Sequence, residues 1–121
     1  MLPLISFAQI DTPKTEKEFI SRFIMERARD ANINPNWFLA TAICESGLRE
    51  RVINPVSKTV GIFQIHPIHR KTYRQMNIDP FNFVDNVNFA VYLYTLNGKS
   101  PWLASKECSD KKMKTLALNS P

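Results

Sequence analysis

The sequence predicts a mainly helical domain with one short β element, and three features carry that reading. Apolar residues recur at helical spacing in successive segments, with charged or polar residues between them. Thr and Asn stand where these segments begin and Gly where two of them end, which is how helix caps are distributed. The run Val60 to Ile65 is short, β-prone and closed by Pro67, so it suits a brief strand or a tight buried turn. A length of 121 residues fits one hydrophobic core, and 8 Phe, 2 Trp and 3 Tyr help to fill it. With 3 Gly and 8 Pro the chain is neither low-complexity nor linker-like. It has no internal repeat and no apolar run long enough to span a bilayer.

Taken in order, residues 1–14 form an apolar and loop-like N-terminal segment. Met1 to Ala8 is apolar and Ser6-Phe-Ala8 has the small-x-small form of a signal-peptidase site, but a basic n-region is lacking and the apolar stretch is short. Two readings stand: the stub of a signal sequence, or an apolar tail packed on the domain. Thr15 and Glu18 make a capping-box pattern, and Phe19, Ile20, Phe23, Ile24 and Ala28 follow at helical spacing, giving a helix over about residues 15–30. Asn34-Pro35 starts a second helix through Trp37, Ala40 and Cys44, which should stop at Gly47. Residues 49–58 read as a loop, residues 68–76 as a third helix, and Asp79-Pro80 lies in a turn over 77–82. Val84, Val87, Val91 and Tyr94 mark a helix ending at Asn97-Gly98, and Ser100-Pro101 opens a short one carrying Trp102. The domain is thus expected over residues 15–108, with 109–121 as a polar, frayed tail.

The net charge of +5 favours polyanionic partners in general. Its basic residues are scattered, densest at Lys111, Lys112 and Lys114, with no continuous basic helix face and no zinc-finger or RNA-binding signature, so nucleic acid is not the expected partner. Cys44 and Cys108 are too few for a zinc site; one disulfide or two thiols would fit, and Cys44, inside a core helix, reads as a buried small hydrophobe. His66 and His69 have a metal-compatible spacing, but Pro67 separates them and no acidic or Cys partner is near, so no metal is expected.

One carboxylate breaks the apolar pattern. On a helix, Glu45 continues the stripe of Phe38, Thr41, Ala42 and Leu48, where an unpaired charge is costly. It also falls in the last helical turn, where the macrodipole is negative. Both effects favour the neutral acid and raise the pKa, as a general acid at neutral pH requires. The structural alternative is a salt bridge to Arg49 or Arg51, or a Glu turned to solvent.

The residues around Glu45 then become recognisable. Ala42-Ile-Cys-Glu45-Ser46-Gly-Leu, Asn54-Pro-Val-Ser57 and Val60-Gly61-Ile-Phe-Gln64-Ile-His-Pro together resemble the lytic transglycosylase family of the lysozyme-like class. Asn86-Val-Asn-Phe-Ala90 is similar to the start of a later family helix, whose closing Tyr-Leu falls here as Leu93-Tyr94. Pro101-Trp102-x-Ala-Ser105 is similar to the closing segment of phage and secreted members, so the likeness spans roughly residues 17–108. The resemblance implies a lysozyme-like fold, with helices around a glycan-binding groove and a short β hairpin near Gly61. It implies that Glu45 protonates the glycosidic oxygen between N-acetylmuramic acid and N-acetylglucosamine, then takes a proton from the muramic C6 hydroxyl, leaving a 1,6-anhydro end. Ser46, Ser57 and Gln64 would position glycan or the catalytic carboxyl, and Phe63 would line the groove. The family's Ala-Tyr-Asn segment is not evident here, and Tyr92 is the expected substitute for its tyrosine, Tyr94 being assigned to the core. No cofactor is implied. Peptidoglycan is the expected partner, in a periplasmic, secreted or virion-associated setting that serves a phage tail, a secretion or conjugation apparatus, or wall turnover.

A hydrolase would need a second carboxylate, about 5 Å away if retaining and farther if inverting. In c-type lysozymes sharing the motif, that Asp lies two residues before the motif Gly, where this chain has Thr59. Glu50 reads as a solvated surface charge, and Asp79 and Asp85 as turn and cap residues, which favours the transglycosylase reaction over a muramidase. Two alternatives stand: an inverting muramidase that positions water through Asp79 or Asp85, and a non-catalytic wall-binding module, against which the retained Glu45 argues.

Overall fold

The computed structural model describes residues 13–118, so the signal-stub reading of Met1 to Ala8 lies outside the described residues, as do residues 119–121. The first helix, α1, spans Glu16–Asp30, and Thr15 caps it by accepting the Glu18 N–H at 3.1 Å. The Glu18 carboxylate accepts in turn from the Lys14 N–H at 2.8 Å, one residue before the position a strict capping box uses. Helix α2, Pro35–Ser46, begins on Asn34, whose side chain accepts the Trp37 N–H, and ends at Gly47 in the left-handed conformation (φ 62°).

Every residue from Trp37 to Ala42 is buried, so α2 is enclosed on all sides rather than amphipathic. Helix α1 covers it through a stripe containing Ile20, Ile24 and Ala28. A 3-10 turn, Pro67–His69, leads into the short α3, Arg70–Gln75, which together replace the continuous helix expected over 68–76. Helix α4 spans Phe83–Asn97. Phe83 on it stands edge-on to Phe19 and Phe23 of α1, with ring centroids 5.9 and 5.5 Å apart. Tyr94 meets Trp37 at 5.6 Å, as its core assignment anticipated. A 3-10 segment, Ser100–Ser105, then carries the buried Trp102.

Two expectations need correction. Of the polar tail expected over 109–121, the described part, residues 109–118, is not frayed, because helix α5 spans Lys106–Leu118 and lies along α2. Ser109 on α5 is 1% exposed, with its hydroxyl 3.3 Å from that of the buried Thr41. A largely polar helix is held there by docking, which sequence polarity alone conceals. Cys44 is likewise not a free buried thiol: it is disulfide-bonded to Cys108, joining α2 to α5 across 64 positions.

The β element is smaller than a hairpin. Isolated bridges pair Val60 with Ile53 and with Ile65, and no sheet forms among the described residues. Gly61 and Gln64 both have positive φ (77° and 51°), so the chain reverses within four residues and leaves too little extended backbone to pair.

Candidate active site

Three segments converge on the candidate site: the C-terminal turn of α2, the reversal at 60–65, and the 3-10 segment Ser100–Ser105. Glu45 is half-buried at the end of α2. Its stripe is as expected, with Phe38, Thr41 and Ala42 wholly buried and Leu48 nearly so. Burial raises the Glu45 pKa above its ordinary value, and a hydrogen bond donated by the Ser105 hydroxyl opposes that rise without cancelling it. Neither predicted arginine pairs with it among the described residues, and Arg49 Nε instead donates to the Ser46 carbonyl at 2.9 Å.

The reversal at 60–65 is held from behind by Asn86 of α4, which is fully buried. Its Nδ2 donates to the Val60 and Pro80 carbonyls at 3.0 and 2.8 Å, and its Oδ1 accepts the Phe63 N–H at 2.8 Å. Gly61 sits so close to this side chain that a Cβ would lie 2.4 Å from Asn86 Nδ2 and from the Pro80 carbonyl oxygen. Only glycine fits, both for that approach and for its φ.

The predicted site residues divide. Ser57 and Gln64 are brought together through Thr59: the Ser57 and Thr59 hydroxyls lie 2.9 Å apart, and Thr59 donates to Gln64 Oε1 at 2.7 Å. Gln64 Nε2 donates to the Gly61 and Val52 carbonyls at 3.0 and 3.3 Å, so this side chain braces its own loop. Gln64 also borders a cleft of about 230 Å³, together with His66, His69, Pro101 and Trp102. Ser46 is buried and works on the helix end, its hydroxyl donating to the Ala42 carbonyl and accepting the Leu48 N–H. Tyr92 is half-buried against Phe89, with ring centroids 5.5 Å apart. Among the described residues, the hydroxyl bonded to the Glu45 carboxyl is that of Ser105.

Phe63 does not line a groove. It is 0% exposed and stacks on Phe38 at 4.3 Å, because an aromatic ring gains about 1.5–3 kcal/mol from full burial. Its carbonyl, not its ring, serves the site, accepting Trp102 Nε1 at 3.1 Å and so joining the reversal to the 3-10 segment.

Glu50 is not the solvated charge expected: its Oε1 accepts the Phe83 N–H at 2.9 Å, at the first turn of α4. Asp79 holds a turn position, as anticipated, whereas the cap of α4 is Asn82 and Asp85 lies in its first turn. Asp79 Oδ1 accepts the Phe81 N–H, Asp85 Oδ2 accepts the Asp79 N–H, and the Asp85 N–H is bonded to Asn82. His66 caps the 3-10 turn by accepting the Ile68 N–H at Nδ1, while the His69 ring packs edge-on to Phe89. No cluster of three or more His, Cys, Asp or Glu able to hold a metal occurs among the described residues.

The helix-ending Glu, the reversal clamped by a buried Asn and all but the last residue of the closing 3-10 segment lie within residues 22–104, which match the family described as the transglycosylase SLT domain. The chain belongs to that family. Neither a curated protein nor a solved structure matches it. As an SLT domain it is a transglycosylase-type, peptidoglycan-acting member of the lysozyme-like superfamily, with the mainly helical fold that membership entails. None of its described helices is long and apolar enough to cross a membrane. The matched segment stops at Ala104, short of both Ser105 and the disulfide partner Cys108. Ser105 was missed as a site residue; the one sequence signal for it was its place at the end of Pro101-Trp102-x-Ala-Ser105.

Proposed function

We propose that this SLT domain is a lytic transglycosylase that cleaves the β-1,4 bond between N-acetylmuramic acid and N-acetylglucosamine, with Glu45 as acid and then base. The observation that carries the proposal is the Glu45 carboxyl itself: half-buried, raised in pKa by that burial, and bonded to one neutral hydroxyl. Such a group keeps its proton near neutral pH better than an ordinary glutamate does. It gives that proton to the glycosidic oxygen as the bond to muramic C1 breaks. The muramic C6 oxygen then bonds to C1 and its proton passes to the Glu45 carboxylate. The acid is regenerated, no water is consumed, and the product is a 1,6-anhydro ring.

The neighbourhood favours this reaction over hydrolysis. Thr59 stands where a c-type lysozyme has its second carboxylate, and its hydroxyl is engaged with Ser57 and Gln64. Asp79, Asp85 and Glu50 each accept a backbone N–H. Gln64, which borders the cleft, and the exposed Ser57 are the side chains assigned to glycan, with Tyr92 a less direct contributor. Ser46 contributes by shaping the helix end that carries Glu45. The reaction needs no metal or cofactor. The Cys44–Cys108 disulfide suits an oxidising compartment, in keeping with work in the periplasm, outside the cell or on a virion, where a phage tail or a secretion or conjugation apparatus needs a local opening in the wall.

The test is mass spectrometry of soluble products from purified peptidoglycan, run beside Glu45→Gln. Anhydro-muramic ends that disappear in the variant are the expected result. Reducing ends would replace the proposal with a muramidase, and no release by folded protein would replace it with a wall-binding module.

A further inference from the structure

Glu45 and Ser105 lie 60 positions apart, yet the Ser105 hydroxyl donates to Glu45 Oε1. Anchors on both sides of Ser105 hold it there. Three residues before it, Trp102 is 5% exposed and its Nε1 is bonded to the Phe63 carbonyl. Three residues after it, Cys108 is covalently joined to Cys44, the neighbour of Glu45. The hydrogen bond joins α2 to the end of the 3-10 segment, and the disulfide joins α2 to α5, which follows directly on that segment.

Several charged groups of the adjoining segments are engaged with one another or with backbone rather than with Glu45. Lys106 pairs with Asp110 at 2.7 Å, Glu107 with Lys111 at 3.4 Å, and Arg49 with the Ser46 carbonyl at 2.9 Å. Helix α1, which also packs on α2, turns the apolar Ile20, Ile24 and Ala28 inward. Among the described residues, burial and the Ser105 hydroxyl are what act on this carboxyl.

We propose that Ser105 is a positioning residue for Glu45, fixing the carboxyl's orientation and making Oε2 the oxygen that gives and later takes the proton. By donating to Oε1, the hydroxyl makes that atom the carbonyl oxygen of the neutral acid, which leaves the transferable proton on Oε2. Once the proton has gone to the glycosidic oxygen, the same bond stabilises the carboxylate until Oε2 takes the C6 hydroxyl proton. Trp102 and Cys108 make this a prearranged contact rather than one assembled when glycan binds. The inference rests on Glu45 being the acid of the proposed reaction.

The experiment is a titration of the Glu45 side-chain carboxyl by carbon-13 NMR in the free protein, paired with kcat and KM profiles on peptidoglycan fragments. Removing a donor to the carboxylate leaves burial less opposed. Ser105→Ala is therefore expected to move the Glu45 titration, and the alkaline limb of kcat/KM, to higher pH. An imprecisely held acid is expected to lower kcat about tenfold with KM little changed. Ser105→Thr keeps the hydroxyl and should titrate like the wild type, whereas Ser105→Val, of the same shape, should shift like Ser105→Ala. The Thr and Val pair decides the matter even if the alanine variant does not fold. Equal titration in Thr and Val variants would overturn the proposal. Because the titration needs no substrate, it reports on Ser105 separately from the products. A clear shift without any anhydro product would retain the contact and remove the reaction.

Discussion

Replacing Asn86 by alanine is expected to cost about 3 kcal/mol of folding stability, chiefly by leaving buried backbone groups without partners. Asn86 makes three hydrogen bonds, but they are not of equal weight. The Val60 carbonyl keeps a second donor, the Ile65 N–H at 2.9 Å, so its loss is small. The Phe63 N–H belongs to a residue with 0% exposure and loses its partner outright, at about 1–3 kcal/mol. Pro80 is half-buried, so water can partly replace the lost donor to its carbonyl, and the remainder comes from the small cavity left behind. The sum is a large share of the 5–15 kcal/mol typical of a domain. Urea unfolding followed by far-UV circular dichroism, without reductant, measures it as a lower midpoint at an unchanged slope. Asn86→Asp is the sharper control. It keeps the acceptor for Phe63 but turns an oxygen toward two carbonyls, and should be at least as damaging as alanine at neutral pH. A loss below about 1 kcal/mol for alanine, or an aspartate variant as stable as the wild type, would refute this account of the clamp.

Gly61→Ala should be more disruptive than an ordinary exposed Gly→Ala change, by at least about 2 kcal/mol, since it combines a positive φ with a backbone carbonyl 2.4 Å from the new Cβ. A midpoint within error of the wild type would show that the reversal relaxes freely. Reduction of the Cys44–Cys108 bond, or the double alanine variant, should cost about 4 kcal/mol on the loop-entropy model for a 64-position separation. The same urea titration with and without reductant checks it, and coincident curves would refute it. Glu45→Gln should gain stability relative to the wild type as pH rises. Burial raises the Glu45 pKa, so its contribution is fully present below the ordinary 4.5 and is lost as pH climbs through the raised value. The variant does not titrate there. Unfolding at acidic and neutral pH tests this, and a difference that does not change with pH would contradict it.

Much of the helical framework was legible because its signals are local. Thr15, Asn34 and Gly47 lie within a few residues of the backbone groups they cap. The stripe of Phe38, Thr41, Ala42 and Leu48 showed where Glu45 would be half-buried, and with it the direction of the pKa shift. The Glu-Ser and Gly-Ile-Phe-Gln-Ile motifs pointed to the transglycosylase family that residues 22–104 match. Polarity misled at α5, because the helix docks through a short face of Ser109, Met113 and Leu116 and a disulfide, set among many exposed charges. Phe63 misled in the opposite sense: its motif position suggested the groove, but the ring had a larger apolar surface to join beside Phe38.

By itself, then, the sequence determined α1, α2 and α4 with the residues that cap them, and which acid lies at the end of a buried helix. Capping, periodicity and the cost of a buried charge all act within one or two turns of chain. Tertiary structure alone decided what faces that acid. Ser105 lies 60 positions from Glu45, and Asn86 clamps Gly61 from another helix. Cys108 reaches Cys44 only because α5 folds back along α2. Such contacts depend on helix packing and chain closure over long separations, and nothing in the local pattern of either partner encodes the other.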